Sequence, residues 1–222
     1  IFEAAGAILA GGDVVNTIQK GIINPSSMQN SEIFIWAMMS ALFAAALWVN
    51  IATWVGAPVS TTHAVVGGVM GAGIAAAGFS IVDWGTMSAI AASWVISPIM
   101  GGAIAAIFLA FIKYNVIYKD DKVSASRRWV PLLVAIMAGV FSAYLVTKGL
   151  KRIWRPDLVT VIAISLAFFA GTYAIVKPII HRTSKGMENR NKSVRALFTI
   201  PLICSAALLS FAHGANDVAN AV

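Results

Sequence analysis

Residues 56–79 read Gly-Ala-Pro-Val-Ser-Thr-Thr-His-Ala-Val-Val-Gly-Gly-Val-Met-Gly-Ala-Gly-Ile-Ala-Ala-Ala-Gly-Phe. The stretch is apolar, yet it opens on residues that break a helix. Pro58 has no backbone N–H and suits the first turn of a helix. Ser60, Thr61, Thr62 and His63 follow at once and place hydroxyl and amide donors at that helix's start. A helix N-terminus carries unpaired N–H groups and a partial charge of roughly +0.5, which makes it an anion site. Hydroxyl donors beside it suit phosphate or sulfate oxygens. The plain alternative is a Ser/Thr cap in a loop outside the membrane. Within a bilayer, such a break is tolerated only where protein or water satisfies the freed backbone, and transporters use discontinuous helices to hold substrate. His63 is an accessory candidate, as a proton carrier, as a donor to the anion, or as a side chain that orients a neighbour.

Composition supplies the bilayer. Of 222 residues, 59% are hydrophobic and 11% charged, and the mean hydropathy is +0.82. Soluble domains run at about 45–50% apolar and about 25% charged, so a soluble fold of this composition would leave too much apolar surface in water. The apolar runs at roughly 1–19, 33–55, 85–112, 129–147, 157–180 and 196–212 approach the ~20 residues a span needs. The reading is therefore an all-α polytopic membrane protein of about six transmembrane helices, with 56–79 as a re-entrant or broken segment. Its expected location is a cell membrane, the inner one in a bacterium.

The chain carries 16 Lys+Arg against 9 Asp+Glu, a net +7. These charges lie mostly in short connectors between apolar runs, which is the pattern of loops flanking spans and argues against a nucleic-acid partner. If 56–79 enters and leaves on one side, connectors 20–32, 113–128 and 181–195 share a side. They hold Lys20, Lys113, Lys119, Lys122, Arg127, Arg128, Arg182, Lys185, Arg190, Lys192 and Arg195. The other side holds Lys148, Lys151, Arg152 and Arg155. The excess puts the first group in the cytoplasm. Ala7/Gly11, Gly67/Gly71 and Gly101/Ala105 have the spacing that lets helices approach closely in lipid. Asn50 and Thr53 share a face and read as interhelical hydrogen bonders. Cys204 reads as a small buried filler.

The chain closes on His213-Gly214-Ala215-Asn216-Asp217-Val218-Ala219-Asn220-Ala221-Val222. A carboxylate at the end of a span is costly without a partner or a role. With a helix opening at the His213-Gly214 break, Asn216 and Asn220 fall on one face and Asp217 about 100° round. Their hard oxygens suit a small cation such as Na⁺, and no other metal is implied. Glu3 and Asp13 in the first run are accessory candidates, lining a cavity or pairing with another segment.

These residues carry a resemblance. Gly214–Ala221, GANDVANA, is similar to the signature of the inorganic phosphate transporter (PiT) family. Pro58–Gly68, PVSTTHAVVGG, resembles that family's second recurrent motif, and residues 2–12 and 17–22 resemble the stretch after its first signature copy. The resemblance implies a secondary transporter that moves inorganic phosphate by symport with Na⁺ or H⁺. It also implies two related halves of opposite orientation, each with its own copy of both motifs. Residues 1–~180 would then be a first half lacking its signature, and ~196–222 the start of a second, so the remainder of the chain would complete the site. By carry-over, Ser60, Thr61 and Thr62 are the phosphate contacts. Asn216 and Asp217 are residues for cation coordination or coupling, phosphate contact, or both, supported by Asn220. No cofactor is expected, and a homodimer is a candidate assembly. A sulfate or other oxyanion permease of the same fold, a channel, and a non-transporting scaffold are the alternatives. An enzyme is not expected, because no nucleophile–base pair or nucleotide motif is present.

Overall fold

The computed structural model describes residues 1–24, 28, 30–151 and 154–218. The described chain is almost wholly helical. Its helices are α1 (Phe2–Ala10), α2 (Gly12–Asn16), α3 (Ser31–Val55), α4 (Thr61–Ala77), α5 (Trp84–Ile112), α6 (Lys122–Tyr144), α7 (Leu158–Thr183) and α8 (Asn191–Asp217). Wider π-helical turns at Thr17–Gly21, Lys113–Ile117 and Leu145–Gly149 prolong α2, α5 and α6. Among the described residues, five helices are long and apolar enough to cross a membrane, namely α3, α5, α6, α7 and α8. The sixth apolar run, 1–19, is helical but interrupted at Gly11. With 17 residues, α4 falls short of the ~20 needed to span.

The apolar surface points outward, as lipid allows. Only Met87 of the whole of α5 is buried, and Trp36, Phe43, Trp54, Ile107 and Leu166 are exposed. Cys204, expected to be buried, is exposed on α8, where hydrocarbon can solvate the thiol that water would not. Pro98, Pro131, Pro178 and Pro201 lie inside helices, a placement that membrane helices tolerate.

The chain divides into two compact units, one of Glu3–Ser97 with Ile1 and the segment from Ala212 onward, the other of Pro98–Phe211 with Phe2. The first unit is built on the α3–α4 hairpin. The side chain of Asn30 caps α3 by accepting from the Glu32 N–H at 2.9 Å. At the far end Gly56 turns left-handed (φ 71°). The Ala57 N–H returns to the Ala52 carbonyl at 2.8 Å and the Gly56 N–H to Thr53 at 3.1 Å, which closes the helix. Pro58 sits ahead of α4 rather than in its first turn. Gly68 permits the close approach of α4 to α3, since a Cβ there would stand 2.6 Å from the Ala41 carbonyl oxygen. Ile22, Ile23, Val66 and Ile81 fill the core between them. An isolated antiparallel bridge, Ile23 to Val82, ties the chain before α3 to the chain after α4.

Of the small-residue pairs, Gly11 is packed against Val218, while Gly67, Gly71 and Gly101 face no neighbour within 4 Å. Asn50 and Thr53 do not reach another helix. Each donates to its own helix, to the carbonyls of Ala46 and Val49 at 2.8 Å, which is the cheaper solution for a polar group facing hydrocarbon.

The second unit is built on the α6–α7 hairpin. Val130, Val134, Ile180 and Leu197 form its core, and Gly139 lets α6 approach the Ser165 carbonyl of α7. Phe141 meets Phe211 edge to face at 5.4 Å. An apolar cavity of about 750 Å³ lies in this unit, with Phe141, Phe168, Cys204 and Leu208 on its walls.

Candidate functional site

The polar site lies in the first unit, where helix ends meet. Ser60 caps α4, its hydroxyl oxygen accepting from the His63 N–H at 3.3 Å. That leaves the Ser60 O–H free to donate elsewhere. Thr61 opens the helix and is half-buried. Thr62 donates its hydroxyl to Asp217 Oδ1 at 3.4 Å, a contact between residues 155 apart in sequence. A carboxylate thus stands at the N-terminus of α4, where the helix dipole favours it.

Asp217 arrives there differently from the sequence expectation. No helix opens at the His213-Gly214 pair. The helix α8 begins at Asn191, ahead of Pro201, and runs without a break through Gly214 to Asp217. Asn216 and Asp217 therefore sit within α8 rather than at the start of a new helix. Glycine in a helix costs only about 1 kcal/mol relative to alanine, and here its missing side chain has a use. A Cβ on Gly214 would overlap the backbone carbonyl of Glu3. Asn220 lies outside the described residues.

His213 joins the two acidic residues. Its Nδ1 is 2.8 Å from Glu3 Oε1 and its Nε2 is 3.2 Å from Asp217 Oδ2. Asp217 is the more enclosed carboxylate, 31% exposed against 61% for Glu3. Both oxygens of Asp217 are thereby engaged, one by Thr62 and one by His213.

Beside this cluster is a cavity of about 300 Å³. Asp13 and Thr17 line it from α2 and the π-turn, Thr62 from α4, Ser93 and Trp94 from α5, and Asn216 from α8. Val14, Ile18, Val66 and Ile90 complete its wall. The Thr17 hydroxyl donates to the Asp13 carbonyl at 3.0 Å, so the wide turn at Thr17 is held against α2. His63 is exposed and packs its ring on Trp94, with centroids 4.2 Å apart.

Of the residues singled out from sequence, Thr62, Asp13 and Asn216 share the cavity, and Asp217 touches Thr62. Glu3 reaches Asp217 through His213. Ser60, Thr61 and His63 stand at the helix start without lining the cavity. Sequence reasoning missed His213, Thr17, Ser93 and Trp94. The signal for His213 was its i, i+4 spacing to Asp217. For Ser93 and Trp94, inside a long apolar run, no local signal existed.

Five apolar helices and a polar cluster assembled from helix ends define a multi-pass helical membrane protein of the transporter type. A family model described as the phosphate transporter family matches residues 1–222, and the chain belongs to that family. It is 48% identical over 222 residues to a protein of Helicobacter pylori (strain J99) whose name places it among phosphate permeases. A similarly named protein of Pyrococcus abyssi is 33% identical. All of this chain is covered in both matches, against 42% and 54% of those proteins. A solved structure titled "The sodium-dependent phosphate transporter" superposes with a TM-score of 0.89 at 34% identity, over 99% of this chain and 54% of that one. The chain thus spans about half the length of these relatives.

Proposed function

We propose that this chain forms part of the path by which inorganic phosphate crosses the membrane in symport with Na⁺. The observation that carries the reading is the meeting of Thr62 and Asp217 at 3.4 Å, which joins the start of α4 to α8 beside a cavity with polar groups on a largely apolar wall. Phosphate is held at the start of α4 by Ser60, Thr61 and Thr62, through their hydroxyl groups and the backbone of the first turn. Na⁺ binds at Asp217 and Asn216, whose oxygens are hard ligands. Asp13 adds a further carboxylate to the same cavity.

Coupling follows from charge. Phosphate near Asp217 is repelled by the carboxylate, and a cation between them removes that repulsion. Each ligand then raises the affinity for the other, a shared free energy that is reciprocal by linkage. Na⁺ is preferred to H⁺ because the structural relative is titled sodium-dependent and because the donors are oxygens. The chain supplies the anion segment of one half of an inverted repeat and the Asn-Asp signature of the other. The counterparts come from the rest of the full-length protein, and rocking of the halves exposes the site to either side.

The test is radiolabelled phosphate uptake by the full-length protein in liposomes, with Na⁺ and pH gradients imposed separately. Uptake driven by the Na⁺ gradient supports the reading. Uptake that needs no gradient indicates a channel, and uptake of sulfate in preference to phosphate reassigns the substrate.

A further inference from the structure

At one end of the second unit the α5–α6 and α7–α8 connectors are tied to each other. Asn189 donates through Nδ2 to the Asp120 carbonyl, and its Oδ1 accepts from the Lys122 N–H at 2.8 Å. Arg127 donates from Nε to Ser184 Oγ at 2.6 Å and from Nη2 to the Ser184 carbonyl at 2.8 Å. Ser184 is fully buried. Nε and Nη2 of Arg127 are thus engaged in the joint, which ties the two loops together.

That surface is strongly basic. Lys113, Lys119, Arg128, Lys185, Lys192 and Arg195 are exposed on it. It holds three acidic residues against these: Glu188 pairs with Arg190 at 2.9 Å, Asp121 caps α6 by accepting from the Ser124 N–H at 2.9 Å, and Asp120 is exposed. The level of the surface relative to lipid is marked by aromatic residues. Tyr114 and Tyr118 are exposed and lie edge to face at 6.0 Å, and the guanidinium of Arg128 lies 5.2 Å from the Trp129 ring centroid. Such rings concentrate at the headgroup layer. The basic groups also stand directly at the ends of α5, α6, α7 and α8, where headgroups are found.

We propose that this face binds the headgroups of anionic phospholipids. Charge complementarity at the bilayer surface favours a lipid over a free ion. The six basic side chains are exposed, and none of them lines either cavity described above, whereas a small free anion needs donors that converge. Fixed juxtamembrane Lys and Arg gain attraction from an anionic leaflet residue by residue.

The experiment uses the full-length protein in vesicles of phosphatidylcholine with a minority of phosphatidylglycerol, and compares the association of spin-labelled forms of the two lipids. The wild type is expected to enrich phosphatidylglycerol several-fold, less so as salt rises. A variant with Lys185→Gln, Lys192→Gln and Arg195→Gln is expected to lose most of that preference while keeping its thermal unfolding midpoint. A variant with Lys185→Arg, Lys192→Arg and Arg195→Lys is expected to keep it. Equal association of both lipids with the wild type overturns the proposal, as does undiminished enrichment in the neutralised variant. Abolition of the enrichment by millimolar inorganic phosphate would show a free-anion site and would also overturn it.

Discussion

Single side chains in this protein are tuned by their nearest hydrogen bond. Asp157, just ahead of α7, accepts the Thr160 hydroxyl at 2.5 Å, and this bond holds its carboxyl below the ordinary aspartate value. A lowered carboxyl favours the folded state above the unfolded value, and that contribution is lost as pH falls through the folded value. Asp157 is exposed, so solvent keeps the effect small. Thr160→Val is expected to return Asp157 toward the ordinary carboxylate range, read by carbon-detected NMR titration; an unchanged titration would mean the hydroxyl is not the cause. At the site, Asp217 shows the same economy, with one oxygen on Thr62 and the other on His213. The sequence displayed Asp217 and Thr62 as costly polar groups in apolar runs, and so they were legible. The bridge from His213 to Glu3 was not, because it joins residues 210 apart and depends on how two helices meet.

Elements are decided by packing where local signals are weak. The Ser-Thr-Thr-His run marks the start of α4 correctly, because a hydroxyl that caps a helix competes poorly inside one. The His213-Gly214 pair looked like a break and is not one, because the close approach of α8 to α1 requires a residue without a side chain. The helix α8 also begins ahead of the apolar run at 196–212, since its first turn, Asn191-Lys192-Ser193, lies outside the stretch that hydropathy detects. Gly214→Ala would force a methyl into the Glu3 carbonyl. Overpacking of this kind costs about 1–3 kcal/mol, so the variant is expected to unfold at a lower temperature in detergent and to separate His213 from Glu3. An unchanged unfolding midpoint would contradict the contact.

On the scale of the whole molecule, the chain divides into two compact units. The second unit presents the 113–128 and 181–195 connectors at one end, joined by Asn189 and Arg127. Hydropathy and charge bias had grouped these connectors on one side, and the hydrogen bonds between them agree. Cysteines introduced by Lys119→Cys and Lys185→Cys in a Cys204→Ser background are expected to react with an impermeant maleimide from the same face of the membrane. Labelling of the two from opposite faces would contradict the hairpin.

The first unit holds the smaller cavity and the junction of α4 with α8. The most direct test is phosphate uptake into liposomes driven by an inward Na⁺ gradient, compared between the full-length wild type and Asp217→Asn. The substitution keeps the shape and an oxygen for Thr62 but removes the charge. Na⁺-dependent uptake is expected to fall by at least tenfold, with the thermal midpoint little changed. Uptake by Asp217→Asn at the wild-type rate and with the wild-type Na⁺ dependence would contradict it.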